Sequence, residues 1–406
     1  MVVDRRVVEK ALSKPSPYGP DIDLSRYRLG EPSIGELGEE DIGSRLTGTL
    51  ERVGFTSPSK LSYLQIDESA KYRVMEEFLG RYGVRIMPLR KALEELDLVR
   101  KLSWSLIRPD TDKYTAATYL YGGEIGYFVY VPPKTRAPIP IYTCLAITGD
   151  ERVQFAHNVV YVDEGAEAHI VTGCTVPHGL RGGLHIGISE FYVGRNARLT
   201  YSMLHAWSEH LHVRPRTAVR VLEGGEYVSY YVIYSPVASL QTMPRVEAMG
   251  GGKVYMATIA AASGHGTYDL GSKAILYGES SSAEIVSRVI ARDSSKVYAR
   301  ADIEAIHSGS RGHIECLGLL LSRDAMISSI PVITSKKPGA ILSHEAAIGV
   351  IADRELEYLM SKGFTEEEAR AILIRGFMSI EVPGIPESIR MEVNRILDLV
   401  TRYAVG

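Results

Sequence analysis

The strongest constraint on this chain is a turn that keeps returning. Gly-, Ser- and Asn-bearing segments begin at EGAEA (164), GRNAR (194), EGGEY (223), GGGKV (250), GESSSAE (278), RDSSK (292) and SGSRG (308). The first five start at nearly even intervals and the last two at about half that interval. From residue 126 to about 333 the runs between them, such as IGYFVYVPP, HNVVYVDEG, AHIVTGC, RLTYSMLHAW and EYVSYYVIYS, alternate apolar with polar residues or are β-branched and aromatic throughout. Those are strand patterns. The 24 tyrosines, against 7 phenylalanines and 2 tryptophans, sit largely here, as suits side chains that straddle core and solvent. Short strands and turns at a fixed interval predict a solenoid, in which each rung buries its face only against its neighbours. A sandwich or jelly roll is the competing reading, because the half-intervals also fit hairpins. Over roughly 200 residues the interval favours a right-handed parallel β-helix.

The flanks read differently. Residues 2–12 predict one short amphipathic helix, stopped by Pro15, Pro17 and Pro20, and residues 21–60 read as loops with short helical pieces. Asp67 reads as the N-cap of a helix ending near Gly80, with Tyr72, Met75 and Phe78 on one face. A strand over 84–87 and a helix over 89–102, with Leu89, Leu93, Leu96 and Val99 on one face, complete a small α/β region. After Gly349, Asp353 is placed to cap a helix that stops at Gly363, and Thr365 with Glu368 reads as a capping box opening another. Pro383 and Pro386 break the chain before a last helix over about 387–402. The expected architecture is therefore mainly β with α-helical termini. An N-terminal helical or α/β region spans 1–120, a β-helix core 121–348 and a helical region 349–406.

A net charge of −3 and a pI near 6.4 give no footprint for nucleic acid. Three widely separated cysteines cannot staple a framework and fit a reducing compartment. The N-terminus has no signal-peptide core, and no window approaches the ~18–20 apolar residues of a membrane span. The expectation is a soluble, cytoplasmic chain.

The chemistry-bearing stretch is 315–347, ECLGLLLSRDAMISSIPVITSKKPGAILSHEAA. It holds Cys316, followed by adjacent His344 and Glu345. Thiolate, imidazole and carboxylate are the side chains that ligate transition metals, and thiolate favours iron–sulfur chemistry. The chain carries no GxxxxGK[ST] loop, since GGGKVY near 250 lacks both the spacing and the following helix, and it has no dinucleotide-binding glycine fingerprint.

Three segments together carry a resemblance. They are FVYVPPKTRAPIPIYTCLAI, VDEGAEAHIVTGCTVP and SHEAAIGVIADRELEYLMSKGFTEEEARAILIRGF. The chain resembles the SufB/SufD family of iron–sulfur cluster assembly proteins from about Ser62 to Glu381. Cys316 and the Glu of the HEA motif make it more similar to SufB than to SufD.

The resemblance implies a β-helix scaffold for a transient iron–sulfur cluster, either [2Fe–2S] or [4Fe–4S]. It also implies a SufC-type ABC ATPase docked on the C-terminal helices, and pairing either as a homodimer or with a SufD. Sulfur donors and apo-protein acceptors would be further partners. Cys174 matches the family's sulfur-receiving thiol, and Cys316, His344 and Glu345 match its cluster-assembly group. Trp207 matches a position in the family's sulfur route. The family's Gln nearby is His205 here, and the Arg of its FER segment is His157 in FAHN. Phe364, Phe377 and Met378 are the expected docking residues, and Cys144 is read as core. His169, His185 and His313 are read as structural.

Chemistry fits this scheme. Sulfane sulfur passes by thiolate attack on a persulfide, so donor and acceptor are cysteines. A scaffold short of cysteine holds a cluster loosely enough to release it. With rungs of about 28–30 residues, the interval of 29 from Cys316 to Glu345 predicts thiol and carboxylate side by side on one face. A SufD-like structural subunit is the alternative, one that would need neither residue. A carbohydrate-active β-helix enzyme is a third reading; it requires charged side chains laddered on one rung face, and the sequence shows no such ladder.

Overall fold

The computed structural model describes residues 4–27, 49–53, 62–67, 69–72, 75–177 and 179–380, with positions 394, 395, 398 and 401 beyond them. Most of the chain winds into a parallel β-solenoid of about eight turns. Two walls face each other. The front wall runs Tyr63–Ile66, Ile141–Ala146, Glu167–Thr175, Arg198–Ala206, Glu226–Ile233, Lys253–Ala262, Ser282–Ala291, Arg311–Leu320 and Ile341–Val350, each parallel to the next. The back wall runs from Tyr127–Val131 through Arg152–Val162 and Gly183–Val193 to Lys296–Ala305 and Met326–Ser335. Successive front-wall strands pair Glu167, Arg198, Glu226, Lys253, Ser282, Arg311 and Ile341 in register. The rungs are therefore unequal, the step from Glu167 to Arg198 being the longest and that from Glu226 to Lys253 the shortest.

One corner explains the recurring turn. Gly165, Asn196, Gly224, Gly251, Ser280, Gly309 and Gly339 stack there, each with φ between +53° and +85°. Their amides continue the ladder around the bend, as in Gly165 N–H to Arg195 O (2.8 Å) and Gly251 N–H to Glu279 O (2.8 Å). A left-handed residue at every rung selects glycine, asparagine or a small polar residue. The half-interval arises because the turn at 292 belongs to the opposite corner, where Gly264 and Asp293 are also left-handed, whereas the turn at 308 returns to the first. In the back wall two rungs are split, into Leu211–Val213 with Arg216–Val221 and Ser239–Thr242 with Arg245–Ala248. Pro215 and Pro244 lie in the gaps, where each removes a ladder donor.

Side chains alternate about each strand, so every wall has an inner and an outer face. The inner faces form one continuous core from Tyr63 to Cys316. Outside the front wall, Ile374 and Met378 pack onto Val286, Ile290 and Leu319. Outside the back wall, Leu89, Val99, Tyr114 and Ala117 cover Phe155, Val159 and Ile188.

The flanks depart from expectation in three places. Asp67 does not cap a helix. Its φ is +52°, and it ends Tyr63–Ile66 at a turn into the antiparallel strand Ser69–Tyr72. Its carboxylate accepts from Thr148 N (2.8 Å) and Thr148 Oγ1 (2.7 Å), a tertiary clamp that overrides local propensity. The helix begins only at Met75 and ends at Gly80. The 89–102 segment is two helices, Leu89–Glu95 and Asp97–Leu102, broken where Leu96 is extended. Asp353 is the first helical residue and Ala352 the N-cap, whereas the Thr365–Glu368 capping box forms as read. The helix expected over 387–402 lies outside the described residues apart from isolated positions.

Two glycines give opposite tests. A Cβ on Gly251 meets nothing closer than 3.7 Å, so only its φ of +66° matters. Gly251→Val is expected to lose about 1–2 kcal/mol relative to Gly251→Asn in urea unfolding, because asparagine tolerates the left-handed region. A Cβ on Gly278 would lie 2.1 Å from Gly250 N, and backbone cannot yield. Gly278→Ala is therefore expected to destabilise more than Gly251→Ala in the same measurement.

Candidate functional site

Cys174 lies on the inner face of Glu167–Thr175, fully buried, in register with Leu145 on one side and His205 on the other. Burial pushes its thiol well above the usual range, and Cys144 nearby adds to the rise. His205 Nδ1 is 2.9 Å from Tyr231 Oη, and its ring meets Trp207 at 5.4 Å between centroids. His185 also lies against Trp207, 5.0 Å away between centroids. Gln154 fixes the tautomer of His185. Its Nε2 donates to Ala146 O (2.8 Å), which turns its Oε1 toward His185 Nδ1 at 2.9 Å, so Nδ1 carries the proton. Burial holds His185 down to about 3 and His205 well below its ordinary value, with His185 adding to the latter, so this interior group is neutral at pH 7. Arg52 closes the end beside it, donating to Val176 O (2.8 Å) and Trp207 O (3.0 Å).

Cys316 lies five front-wall strands further on, ~24 Å along the axis at ~4.8 Å per strand. It too faces the interior and is 2% exposed. Burial raises its thiol, and the Ser329 hydroxyl of the opposite wall and Arg288 oppose the rise. An inner column leads back from it through Ser287, Thr258, Tyr231, Met203 and Thr172. Tyr231 thus joins the Cys316 column to His205 of the Cys174 column.

The last rung, from Arg311 to Ile341, is one residue longer than the interval from Cys316 to Glu345, and this changes the expected pairing. Cys316 is in register with Ala346, Glu345 with Glu315, and His344 with Ile314. Alternation therefore places Cys316 and His344 on the inner face as diagonal neighbours and sends Glu345 to the outer face, beside the Arg288–Glu315 ion pair. Thiol and carboxylate do not stand side by side as the sequence interval suggested. His344, Glu345 and Ala346 are all exposed on a strand whose far edge pairs with no other strand among the described residues. Among the described residues, no three His, Cys, Asp or Glu side chains converge as a metal site.

His157 does not join the interior group. It lies on the outer face of Arg152–Val162 under the N-terminal helices, fully buried, with Nε2 2.9 Å from Glu190 Oε2 and Nδ1 3.2 Å from Gly123 O. Glu190 also accepts from the amides of Trp104 (2.5 Å), Leu106 (2.7 Å) and Ile107 (3.1 Å), so the pair pins the 104–107 loop to the wall. On the C-terminal helices Phe364 is exposed, but Phe377 is partly buried and Met378 wholly so, both packed on the front wall. Met378 is a core residue there. Tyr358, Met360 and Ile372 are the further exposed apolar side chains of these helices.

Sequence reasoning passed over Tyr231, Gln154 and the partnership of His185. The usable signal was polar residues recurring at one rung length. Gln154 is in register with His185 on the next rung of the back wall, and Cys174 with His205 on the next rung of the front wall.

The chain matches the family described as SUF system FeS cluster assembly, SufBD core domain, over residues 145–377. An iron–sulfur cluster assembly SufBD family protein of Methanothermobacter thermautotrophicus is 38% identical over 403 residues, covering 96% of this chain and 97% of the relative. One from Archaeoglobus fulgidus is 38% identical over 377 residues, covering 92% and 99%. One from Pyrococcus horikoshii is 28% identical, covering 89% and 82%. This chain belongs to the SufBD family of iron–sulfur cluster assembly proteins. None of its described helices is long and apolar enough to cross a membrane.

The buried histidines set an acid limit. His185 and His169, held at about 3 and 4, are neutral when folded, and unfolding returns them to about 6.5. The unfolded chain binds more protons between these values, so stability falls as pH drops from about 6.5 toward 4. His185 alone contributes up to about 3 kcal/mol of that loss at ~1.4 kcal/mol per pKa unit. His185→Gln is expected to flatten the acid limb of a urea-midpoint profile, whatever it does to the plateau.

Proposed function

We propose that the chain is a SufB-type scaffold that receives sulfur at Cys174, assembles a transient iron–sulfur cluster at Cys316, and works in the cytoplasm with a SufC-type ABC ATPase. The supporting observation is that two inward-facing cysteines lie at separate levels of one solenoid interior, linked by the His205–Tyr231 contact and the column from Tyr231 through Thr258 and Ser287. The Cys174 sulfur attacks the outer sulfur of a donor persulfide and takes that sulfur, while its proton passes to the departing donor sulfur, which leaves as a thiol. The new persulfide is the sulfur source for the cluster, which is cargo rather than a resident cofactor. Trp207, His205 and Tyr231 line the start of the route. His157 serves instead to hold the N-terminal region.

One chain offers Cys316 and His344 on the inner face of the terminal rungs and Glu345 just outside. The edges of Met326–Ser335 and Ile341–Val350, which carry no further strand among the described residues and expose Ile341, Ile348 and Val350, suit a second copy or a SufD-type subunit. Such pairing would bring further ligands to the same end. Residues beyond 349 form the docking region, with Phe364, Tyr358, Met360 and Ile372 as its apolar contacts. ATP is hydrolysed on the partner, and apo-proteins take the finished cluster.

Anaerobic reconstitution with ferrous iron and sulfide, read by visible absorption, tests the scheme. Cys316→Ser is expected to abolish the cluster bands with the fold intact, and Cys144→Ser to leave them unchanged. Full absorption in Cys316→Ser would reassign the chain as a SufD-like structural subunit. Phe364→Asp is expected to weaken co-purification with a SufC-type ATPase at least about tenfold, since a large buried apolar side chain contributes about 1.5–3 kcal/mol.

A further inference from the structure

The outer face of the front wall carries a charged column that the sequence reading did not see. Arg136, Glu167, Arg198, Glu226 and Lys253 occupy the same register position on consecutive rungs, alternating in sign. Arg136 Nε lies 3.3 Å from Glu167 Oε2, and Arg198 Nη2 lies 3.5 Å from Glu226 Oε1. The next position, where alternation calls for a carboxylate, is Ser282, and the one after it is Arg311. The sequence around the gap is therefore cation, hydroxyl, cation. Lys253 and Arg311 are exposed, and neither makes an ion pair among the described residues, whereas the cations earlier in the column do.

A groove of about 580 Å³ opens at this point. Lys253, Ser282 and Arg311 line it, with Val228, Tyr255 and Ile341 supplying apolar surface. Two carboxylates also line it: Glu226, in register beside Lys253 and paired with Arg198, and Glu284, displaced two residues along the strand, ~6.6 Å from the vacant position, between Tyr255 and His313 of the adjoining strands. His313 is engaged with Ser343 Oγ at 2.9 Å. Each flanking cation is one strand away from Ser282, ~4.8 Å, within easy reach of a long side chain folding over a serine. The small residue leaves the volume that a glutamate would fill.

We propose that the Ser282 position is an anion-binding site, which takes the carboxylate or phosphate group of a small organic ligand between Lys253 and Arg311, with the Ser282 hydroxyl as donor. The Arg311 guanidinium offers the planar fork that oxyanions prefer, and Lys253 supplies a point charge from the other side. The apolar wall of Val228 and Tyr255 accommodates the rest of the molecule. Glu284 limits the net charge that the groove accepts and excludes bulk acidic chains. The site lies on the opposite face of the wall from Cys174 and Cys316.

The test is calorimetric titration of the full chain at low salt with inorganic phosphate in one arm and succinate in the other. At least one anion is expected to bind, and the tighter arm identifies the oxyanion class. Ser282→Glu places the missing carboxylate between the two cations and is expected to abolish binding while preserving the circular dichroism spectrum. Arg311→Ala is expected to weaken binding at least about tenfold, and carries the test alone should Ser282→Glu fail to fold. Absence of binding by the wild-type chain in both arms overturns the proposal. So does binding that survives in folded Ser282→Glu, or binding of unchanged affinity in Arg311→Ala.

Discussion

Everything in this molecule depends on the parallel ladder staying in register around a corner. Each rung must turn without losing its hydrogen bonds, and the stacked left-handed residues from Gly165 to Gly339 allow it. Once the corner is fixed, the pleat decides which side chains enter the interior and which meet the helices. The two cysteines proposed for sulfur and cluster chemistry face inward for that reason alone. So does the neutral group of His185, His205 and Trp207, whose polar atoms the solenoid has taken out of water.

The same constraint explains what the sequence disclosed. The corner is a local demand of φ, and local demands leave local marks, so the glycine-rich turns announced the solenoid and its approximate pitch. Register is not local. Because the rungs differ in length, an error of a single position moves a side chain to the other face. Cys316 and Glu345 were paired by such an error, and the Arg136–Lys253 column went unseen because its spacing is irregular. Asp67 and Met378 failed for a related reason. A turn across to Thr148 and burial on the front wall are contacts with distant chain, which no short window contains. Cys174, Trp207 and His205 lie in the interior and His157 on the outer face of the back wall, a division that depends on register and that no short window contains.

The two faces of the front wall divide the work. Inside, charge is absent and hydroxyl, thiol and imidazole groups line a sheltered column. Outside, charges alternate rung by rung and largely neutralise one another. A solenoid makes this separation cheap, because one strand serves both faces and a substitution on one leaves the other undisturbed. The family's chemistry and any ligand held outside can therefore change independently.

The ends of the stack are unequal, and that has a consequence for access. Near Cys174, Arg52 ties the 49–53 segment across Val176 and Trp207. At the other end, among the described residues, Ile341–Val350 has a strand neighbour on one side only. In a nearly one-dimensional assembly the terminal repeat frays first, at a free energy below that of global unfolding. Cys316 lies directly beneath that repeat, with Ala346 above it in its column. Peeling back one strand would bare its thiol while leaving every deeper rung, and Cys174 with it, closed. The fold thus gives its two interior cysteines different gates, one tied shut and one that breathes.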